Sequence, residues 1–422
     1  MKPSPYPLEQ ALGMRYYATE TPGVGGVLRA APEDFVVEEL PQPIGDEGPY
    51  LICRLTKKNW ETQRAVKELA RALGISHRRI SWAGTKDRRA VTTQYISLYQ
   101  VSPEDLGQVT LRDLSIEAVG QSRAPLSLGD LEGNRFAITI RDCRADGLAT
   151  QAAEVSAAAL SGFPNYFGIQ RFGGLRPVTH KVGLHILRGE FDEAVRVYVG
   201  EAHEIEPEDT RAARTLFAET MEPREVLRVF PTQLSYERAI LHHLVAHPGD
   251  SRGALQTLPP KLLSMFVSAY QSFLFNETLS RRMEEAWPME EPLPGDVLLF
   301  ANGRADLVTE QNRRTAGVHL RRGKCVIALG IPGAEAPAVQ GRMDTFTTEI
   351  MEDDGIRTSN FREVSGVVGV RFSGAYRPAL IRAEIGCDAA GDTIGLRFTL
   401  PPGTYATTVC REFMKAPPEA MI

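Results

Sequence analysis

The chain has 422 residues, 43% hydrophobic and 24% charged, with a formal net charge of −5. That length predicts two or three domains, and that composition predicts an ordinary globular protein rather than a disordered or fibrous one. The opening residues carry no apolar signal region and no apolar run reaches the length of a membrane helix, so the reading is a cytoplasmic chain without a membrane partner.

In chain order, residues 33–40 and 49–55 read as strands rich in Val, Ile and Leu. Residues 60–73 read as a helix, with Ala65, Val66, Leu69, Ala70 and Leu73 on one face, Arg64, Lys67 and Arg71 on the other, and Gly74 as its stop. A strand at 79–83 leads into Gly84-Thr85-Lys86-Asp87, and 92–99 and 134–141 read as further strands. The character changes near Ser161-Gly162-Phe163-Pro164. Helical patterns then run to about residue 283, the strongest from Lys261 to Arg282 and apolar over much of its surface. Short strands are predicted at 297–308 and 323–330, then at 367–372, 379–385 and 393–400, with a terminal helix beginning near Tyr405. Strands, then helices, then strands is the pattern of one domain inserted into another. The expected division is 1–162 and 367–422 as one mixed α/β (α+β) domain, with 163–366 as a mostly helical insert.

The net charge argues against a nucleic-acid partner, but its distribution argues the other way. Eleven basic residues stand against three acids between Arg54 and Arg89, among them Arg64, Lys67, Arg71, Arg78, Arg79, Lys86, Arg88 and Arg89. A second run, Arg313, Arg314, Arg321, Arg322 and Lys324, has no acid from Gln311 to Pro332. Clustered cations release counterions from a phosphate backbone whatever the total charge. Within the first cluster, Asp87 sits between Lys86 and the pair Arg88-Arg89, a setting that favours the ionised form a carboxylate nucleophile needs. Taken alone, a Gly-x-x-Asp between apolar runs is also an ordinary turn.

Other chemistries lack their signatures. The five cysteines are scattered, with no Cys-x-x-Cys pair, which argues against a disulfide framework or a cysteine-rich zinc site. There is no Walker loop and no Gly-x-Ser-x-Gly elbow, and Gly23-Val24-Gly25-Gly26 lacks the third Gly of a dinucleotide fingerprint. His243 and His247 have the i, i+4 spacing of a helical zinc pair, but no adjacent Glu completes a metalloprotease motif. A metal-dependent nucleic-acid enzyme built on these two histidines is therefore a distant rival, and no metal or cofactor is expected.

Four further segments make the Asp87 loop specific: Pro32-Glu33-Asp34-Phe35, Gly133-Asn134-Arg135-Phe136, Pro164-Asn165-Tyr166-Phe167-Gly168-Ile169-Gln170-Arg171-Phe172-Gly173, and Leu400-Pro401-Pro402-Gly403-Thr404-Tyr405 with the residues to Glu412. In this order and spacing the chain resembles the TruD family of tRNA pseudouridine synthases over about residues 25 to 415. The resemblance implies a pseudouridine synthase core of mixed, mainly antiparallel sheet flanked by helices, with a family insert (the TRUD domain) starting at the Pro164 string. It implies isomerisation of uridine to pseudouridine at position 13 in the D arm of tRNA, without a cofactor. Asp87 matches the catalytic aspartate, Asn134 the asparagine that helps order its loop, and Phe136 the aromatic that packs on the target base. Tyr405 falls where family members carry Phe, and Arg29 where the family tends to have a basic residue; Arg29 or Lys86 is the expected partner of Asp87. Arg171 joins the basic residues expected to meet RNA. The expected partner is tRNA, and the expected state a monomer.

Such a reaction breaks the bond from ribose C1′ to uracil N1 and makes one from C1′ to C5. The base must leave its stack, at roughly a few kcal/mol, which an aromatic platform offsets by about 1–3 kcal/mol. Asp87 could attack C6, attack C1′, or remove a ribose proton on a glycal route; all three begin with its carboxylate. The competing reading is a catalytically silent RNA-binding or tRNA-chaperone protein on the same scaffold.

Overall fold

A computed structural model describes residues 1–144 and 146–422, and the chain divides into two compact units. One comprises Ala18–Phe163 and Ile381–Ile422, the other Met1–Tyr17 and Pro164–Leu380.

The first unit is built on a nine-stranded sheet. Its strands in chain order are β1 (Gly25–Leu28), β2 (Phe35–Pro41), β3 (Tyr50–Lys58), β4 (Ile80–Trp82), β5 (Val91–Tyr99), β6 (Leu114–Ser122), β7 (Leu131–Cys143), β8 (Gly386–Ala390) and β9 (Thr393–Leu400). The order across the sheet is β8-β9-β7-β2-β5-β3-β6, with β1 added beside β7 and β4 beside β5. Every pairing is antiparallel except β2 with β5. The mixed, mainly antiparallel sheet of the sequence reading is therefore present.

Alternation decides which face is covered. Phe35 and Val37 on β2, Phe136, Ile138 and Ile140 on β7, and Ile394, Leu396 and Phe398 on β9 all point one way and are buried. They form a core with Leu148, Ala152 and Val155 of α2 (Leu148–Ser161) and Val409 and Phe413 of α3 (Ala406–Met414). Farther along the sheet, Leu51, Cys53 and Leu55 of β3 and Ile96 and Leu98 of β5 meet Val66 and Leu69 of α1 (Thr62–Ala72). The carboxylate of Glu61 accepts from Gln63 N at 2.9 Å and Arg64 N at 2.8 Å, which caps α1 and satisfies two of its free amides.

The second unit is mainly helical, around the helix Pro260–Glu284. Pro260 stands at the first turn, where its missing N–H costs nothing. Leu263, Phe266, Tyr270 and Leu274 are buried against Val182 and Ile186 of the helix Thr179–Arg188. A four-stranded antiparallel sheet, ordered Ala305–Leu307, Val297–Phe300, Cys325–Ile331 and Ala375–Pro378, accompanies the helices.

Three stretches differ from the sequence reading; in one, 379–385, read as a strand, only Leu380–Ile381 is strand and the next strand begins at Gly386. Residues 1–17 group with the insert rather than with the α/β domain. Asn276 Nδ2 donates to Leu12 O (3.0 Å), Ser280 Oγ to Gly13 O (2.6 Å), and Arg15 pairs with Glu277 and Glu284. Of the segment 367–372, read as a strand, Val367 and Val368 are instead the end of a helix, Thr358–Val368, stopped by Gly369 at φ 73°, and residues 370–372 form no strand. Phe361, Val364 and Val368 repeat at helical spacing and are all buried, which outweighs the short Val-rich run. The strand Ala375–Pro378 that follows pairs with Cys325–Ile331, so the second unit extends to Leu380.

Arg282 on the central helix and Asp296 are both fully buried, joined by hydrogen bonds of 2.6 and 2.9 Å. Replacing one partner strands the other charge without compensation, at about 3–5 kcal/mol. Asp296→Ala is expected to lose stability on that scale in chemical denaturation, whereas a loss below about 1 kcal/mol would show the pair to be dispensable.

Candidate active site

A row of polar residues crosses the covered face of the large sheet. Alternation along β3 places Lys57 on the same side as Leu51, Cys53 and Leu55, and alternation along β2 places Glu39 on the same side as Phe35 and Val37. Lys57 lies opposite Thr92, Leu55 opposite Gln94, and Glu39 opposite Asn134. Lys57, Glu39, Thr92 and Gln94 are each at most 1% exposed. The loop between β4 and β5, which carries Asp87, is anchored on this row.

The anchors follow one another along the loop. Ala83 O accepts from Gly129 N at 2.8 Å, and Gly84 O accepts from Gln94 Nε2 at 3.2 Å. Lys86 N donates to Thr62 Oγ1 at 3.2 Å, and the same hydroxyl donates to Gln94 Oε1 at 3.1 Å. Lys86 Nζ forms an ion pair with Glu39, whose other oxygen accepts from Tyr95 N at 3.0 Å. Asp87 O accepts from Lys57 Nζ at 3.3 Å, and Ala90 O accepts from Asn59 N at 3.2 Å. A Cβ at Gly84 would stand 2.8 Å from Lys86 Nζ, so a larger residue there would press on the end of the Lys86 side chain.

The Asp87 side chain is 55% exposed, and its Oδ2 accepts from Arg29 Nη2 at 2.6 Å. Arg29, 7% exposed, lies with its guanidinium carbon 4.0 Å from the centre of the Phe35 ring. Its backbone takes the left-handed conformation, φ 56°, uncommon for a residue with a side chain. Beneath it, burial pushes the Cys410 thiol up to about 12 while the Arg29 charge pulls the other way. Of the two cations expected to compete for Asp87, Arg29 has the carboxylate and Lys86 is committed to Glu39.

The other expected site residues fall into separate groups. Asn134 and Phe136 are on β7, one turn of the pleat apart, but the Asn134 amide makes no hydrogen bond to the Asp87 loop, and its Oδ1 is buried without a partner. Phe136 is 7% exposed, with the Phe398 ring stacked 5.4 Å away and Phe35 edge-on at 6.4 Å. Tyr405, half-buried, stands at the N-cap of α3. Arg64, Lys67, Arg78, Arg88 and Arg89 are exposed and form no ion pair among the described residues, while Arg71 pairs with Glu68 at 2.6 Å. Arg79 is turned inward, donating to Tyr99 O at 2.9 Å and Gln100 O at 2.6 Å. In the other unit, Arg313, Arg314, Arg321 and Arg322 are exposed along and beyond the helix Arg313–Arg321, and Arg171 donates to Ser272 Oγ at 3.1 Å. His243 is paired with Asp250 at 2.9 Å, and no group of three metal-ligating side chains occurs among the described residues.

Comparison with known proteins gives the site its context. The family model of tRNA pseudouridine synthase D (TruD) matches residues 11–413. The chain belongs to the TruD family. It is 38% identical to the "Probable tRNA pseudouridine synthase D" of Methanococcoides burtonii, with 98% of each chain covered, and 39% identical to the protein of that name from Halobacterium salinarum, with 99% of each covered. The crystal structure of the Methanosarcina mazei TruD protein matches with a TM-score of 0.82 at 35% identity, covering 98% of this chain and 99% of that one.

Lys57, Glu39, Thr62 and Gln94, the supports of the Asp87 loop, were not read as site residues from the sequence. The first two left a signal, since each is a charge at an inward position of an otherwise apolar alternation. Burial lowers the Lys57 ammonium from the ordinary lysine value to about 8, against the smaller raising effects of Asp87 and Glu61. Between about pH 8 and 10.5 the unfolded chain holds this proton and the folded chain does not, so stability due to Lys57 rises with pH across that window and is lost as pH falls to 8. The stability of wild type relative to Lys57→Met should therefore climb by about 3 kcal/mol from pH 7.5 to 10.5. A difference that stays constant with pH would mean the ammonium is not desolvated.

Proposed function

We propose that the protein is a tRNA pseudouridine synthase that isomerises the uridine at position 13 in the D arm, with Asp87 as the reacting carboxylate. The observation that carries the reading is the Arg29–Asp87 pair: an exposed carboxylate aimed by a buried guanidinium, on a loop whose backbone is fixed at five residues, in a chain matched almost end to end by the TruD family. Uridine isomerisation gains and loses no atoms, so the chain needs only to extract the base, present a nucleophile and hold the separated pieces in register.

Each role has a candidate. Arg29 neutralises and orients Asp87 from the buried side, leaving the other side of the carboxylate to the substrate. Phe136 and Tyr405 are the aromatic contacts for the extracted uracil; Phe136, backed by Phe398 and nearly covered, offers an edge rather than a whole face. Asn134, the candidate loop-ordering asparagine, makes no bond to the Asp87 loop in this structure, and its buried oxygen is left for the substrate. The unpaired cations Arg64, Lys67, Arg78, Arg88 and Arg89 meet phosphates, and Arg313, Arg314, Arg321 and Arg322 give the helical unit a second tRNA-holding surface. The α/β unit is then the catalytic domain, the chain acts as a monomer, and tRNA places it in the cytoplasm.

Nucleoside mapping of unmodified tRNA tests the assignment. Asp87→Asn should lower product formation by roughly 10⁴–10⁶-fold, the scale for loss of an enzyme's nucleophile, while tRNA binding survives. Substantial turnover by that variant would end the proposal. Binding should also weaken steeply with salt, and removing both Arg88 and Arg89 charges by Gln should reduce the log–log salt slope by about 2. An unchanged slope would place these residues away from the RNA.

A further inference from the structure

We infer that Lys57 is a positioning residue of the reaction, setting the direction of the Asp87 carboxylate through the Asp87 backbone carbonyl. The inference deepens the proposed function and rests on Asp87 being the reacting group.

Lys57 is 1% exposed, yet no carboxylate pairs with it among the described residues. A buried ammonium without a counter-ion is costly, and an apolar side chain of similar length, such as Met, would avoid that cost. What the ammonium does instead is donate to Trp60 O at 2.7 Å and Asp87 O at 3.3 Å. Trp60 immediately precedes the cap of α1, and Thr62 in the first turn of α1 holds Lys86 N. One charged side chain thus ties the end of β3, the start of α1 and the Asp87 peptide into a single unit. Arg29 fixes the carboxylate end of Asp87 and Lys57 its backbone end, so the residue is held at two points. The charged groups that face Lys57 are Asp87 and Glu61, which favour its proton, and Lys86, which opposes it. Loss of that proton turns two charge-assisted bonds into neutral ones of about half the strength, which loosens the grip on Asp87.

Single-turnover kinetics on unmodified tRNA, with wild type, Lys57→Met and Asp87→Asn, tests the inference. Lys57→Met should bind tRNA within about twofold of wild type, retain its thermal unfolding transition, and isomerise about 10²-fold more slowly, the cost of a misplacement near 1 Å. The wild-type rate should bend downward above about pH 8, and the Met variant should lack that bend. A Met variant with a rate within threefold of wild type, or one that slows only in proportion to weakened tRNA binding, overturns the inference. Should that variant fail to fold, the wild-type profile decides: no bend between pH 6.5 and 9 overturns it equally. In each of these cases an inactive Asp87→Asn leaves the proposed function standing, whereas an active one removes that reading itself.

Discussion

The ion pair between Arg29 and Asp87 is the interaction on which the site depends. A carboxylate more than half exposed would ordinarily sample many directions, and a surface pair of this kind contributes little. Here the cation is nearly buried, packed on the Phe35 ring and held in a left-handed backbone conformation. The guanidinium is fixed first and the carboxylate follows it. The two residues come from the end of β1 and the loop after β4, so their meeting is a product of the sheet and not of local sequence.

The sheet makes that meeting possible by sacrificing part of its core. On the face that α1, α2 and α3 cover, Lys57, Thr92, Gln94, Glu39 and Asn134 replace the apolar residues that alternation would otherwise place there. Buried polar groups of this kind are favourable only when satisfied: Lys57, Glu39 and Gln94 each bond to the Asp87 loop, whereas Thr92 Oγ1 and Asn134 Oδ1 have no partner among the described residues. The loop's order and the stability of the first three are therefore one property. Two non-glycine residues with positive φ, Arg29 at 56° and Asn59 at 60°, stand at the ends of β1 and β3, where the chain turns toward this loop. Strain of that sort persists where the surrounding structure over-determines the backbone.

Much of this was legible in the sequence. The helical face of α1, the long buried helix and the strands around Asp87 followed from periodicity, and the motif order pointed to the family. The choice of Arg29 over Lys86 was not legible, because it depends on where Glu39 lies, and Glu39 reaches Lys86 only through the pairing of β2 with its neighbours. The edge strand β6 escaped because only one of its sides is partly covered and its residues are mixed. The segment 367–372 misled because a short Val-rich run cannot be told from the end of a helix without its preceding turns. Lys57 was visible only as one charge of the Arg54–Arg89 basic cluster and was counted in its local positive charge; its place in the alternation of β3 was the better guide.

The most direct test of the account is the single-turnover rate of Arg29→Met on unmodified tRNA, measured beside its tRNA affinity. If the buried guanidinium aims the reacting carboxylate, isomerisation falls by about 10²-fold or more while binding is nearly unchanged. A variant that isomerises at the wild-type rate would show that the pair does not govern the chemistry.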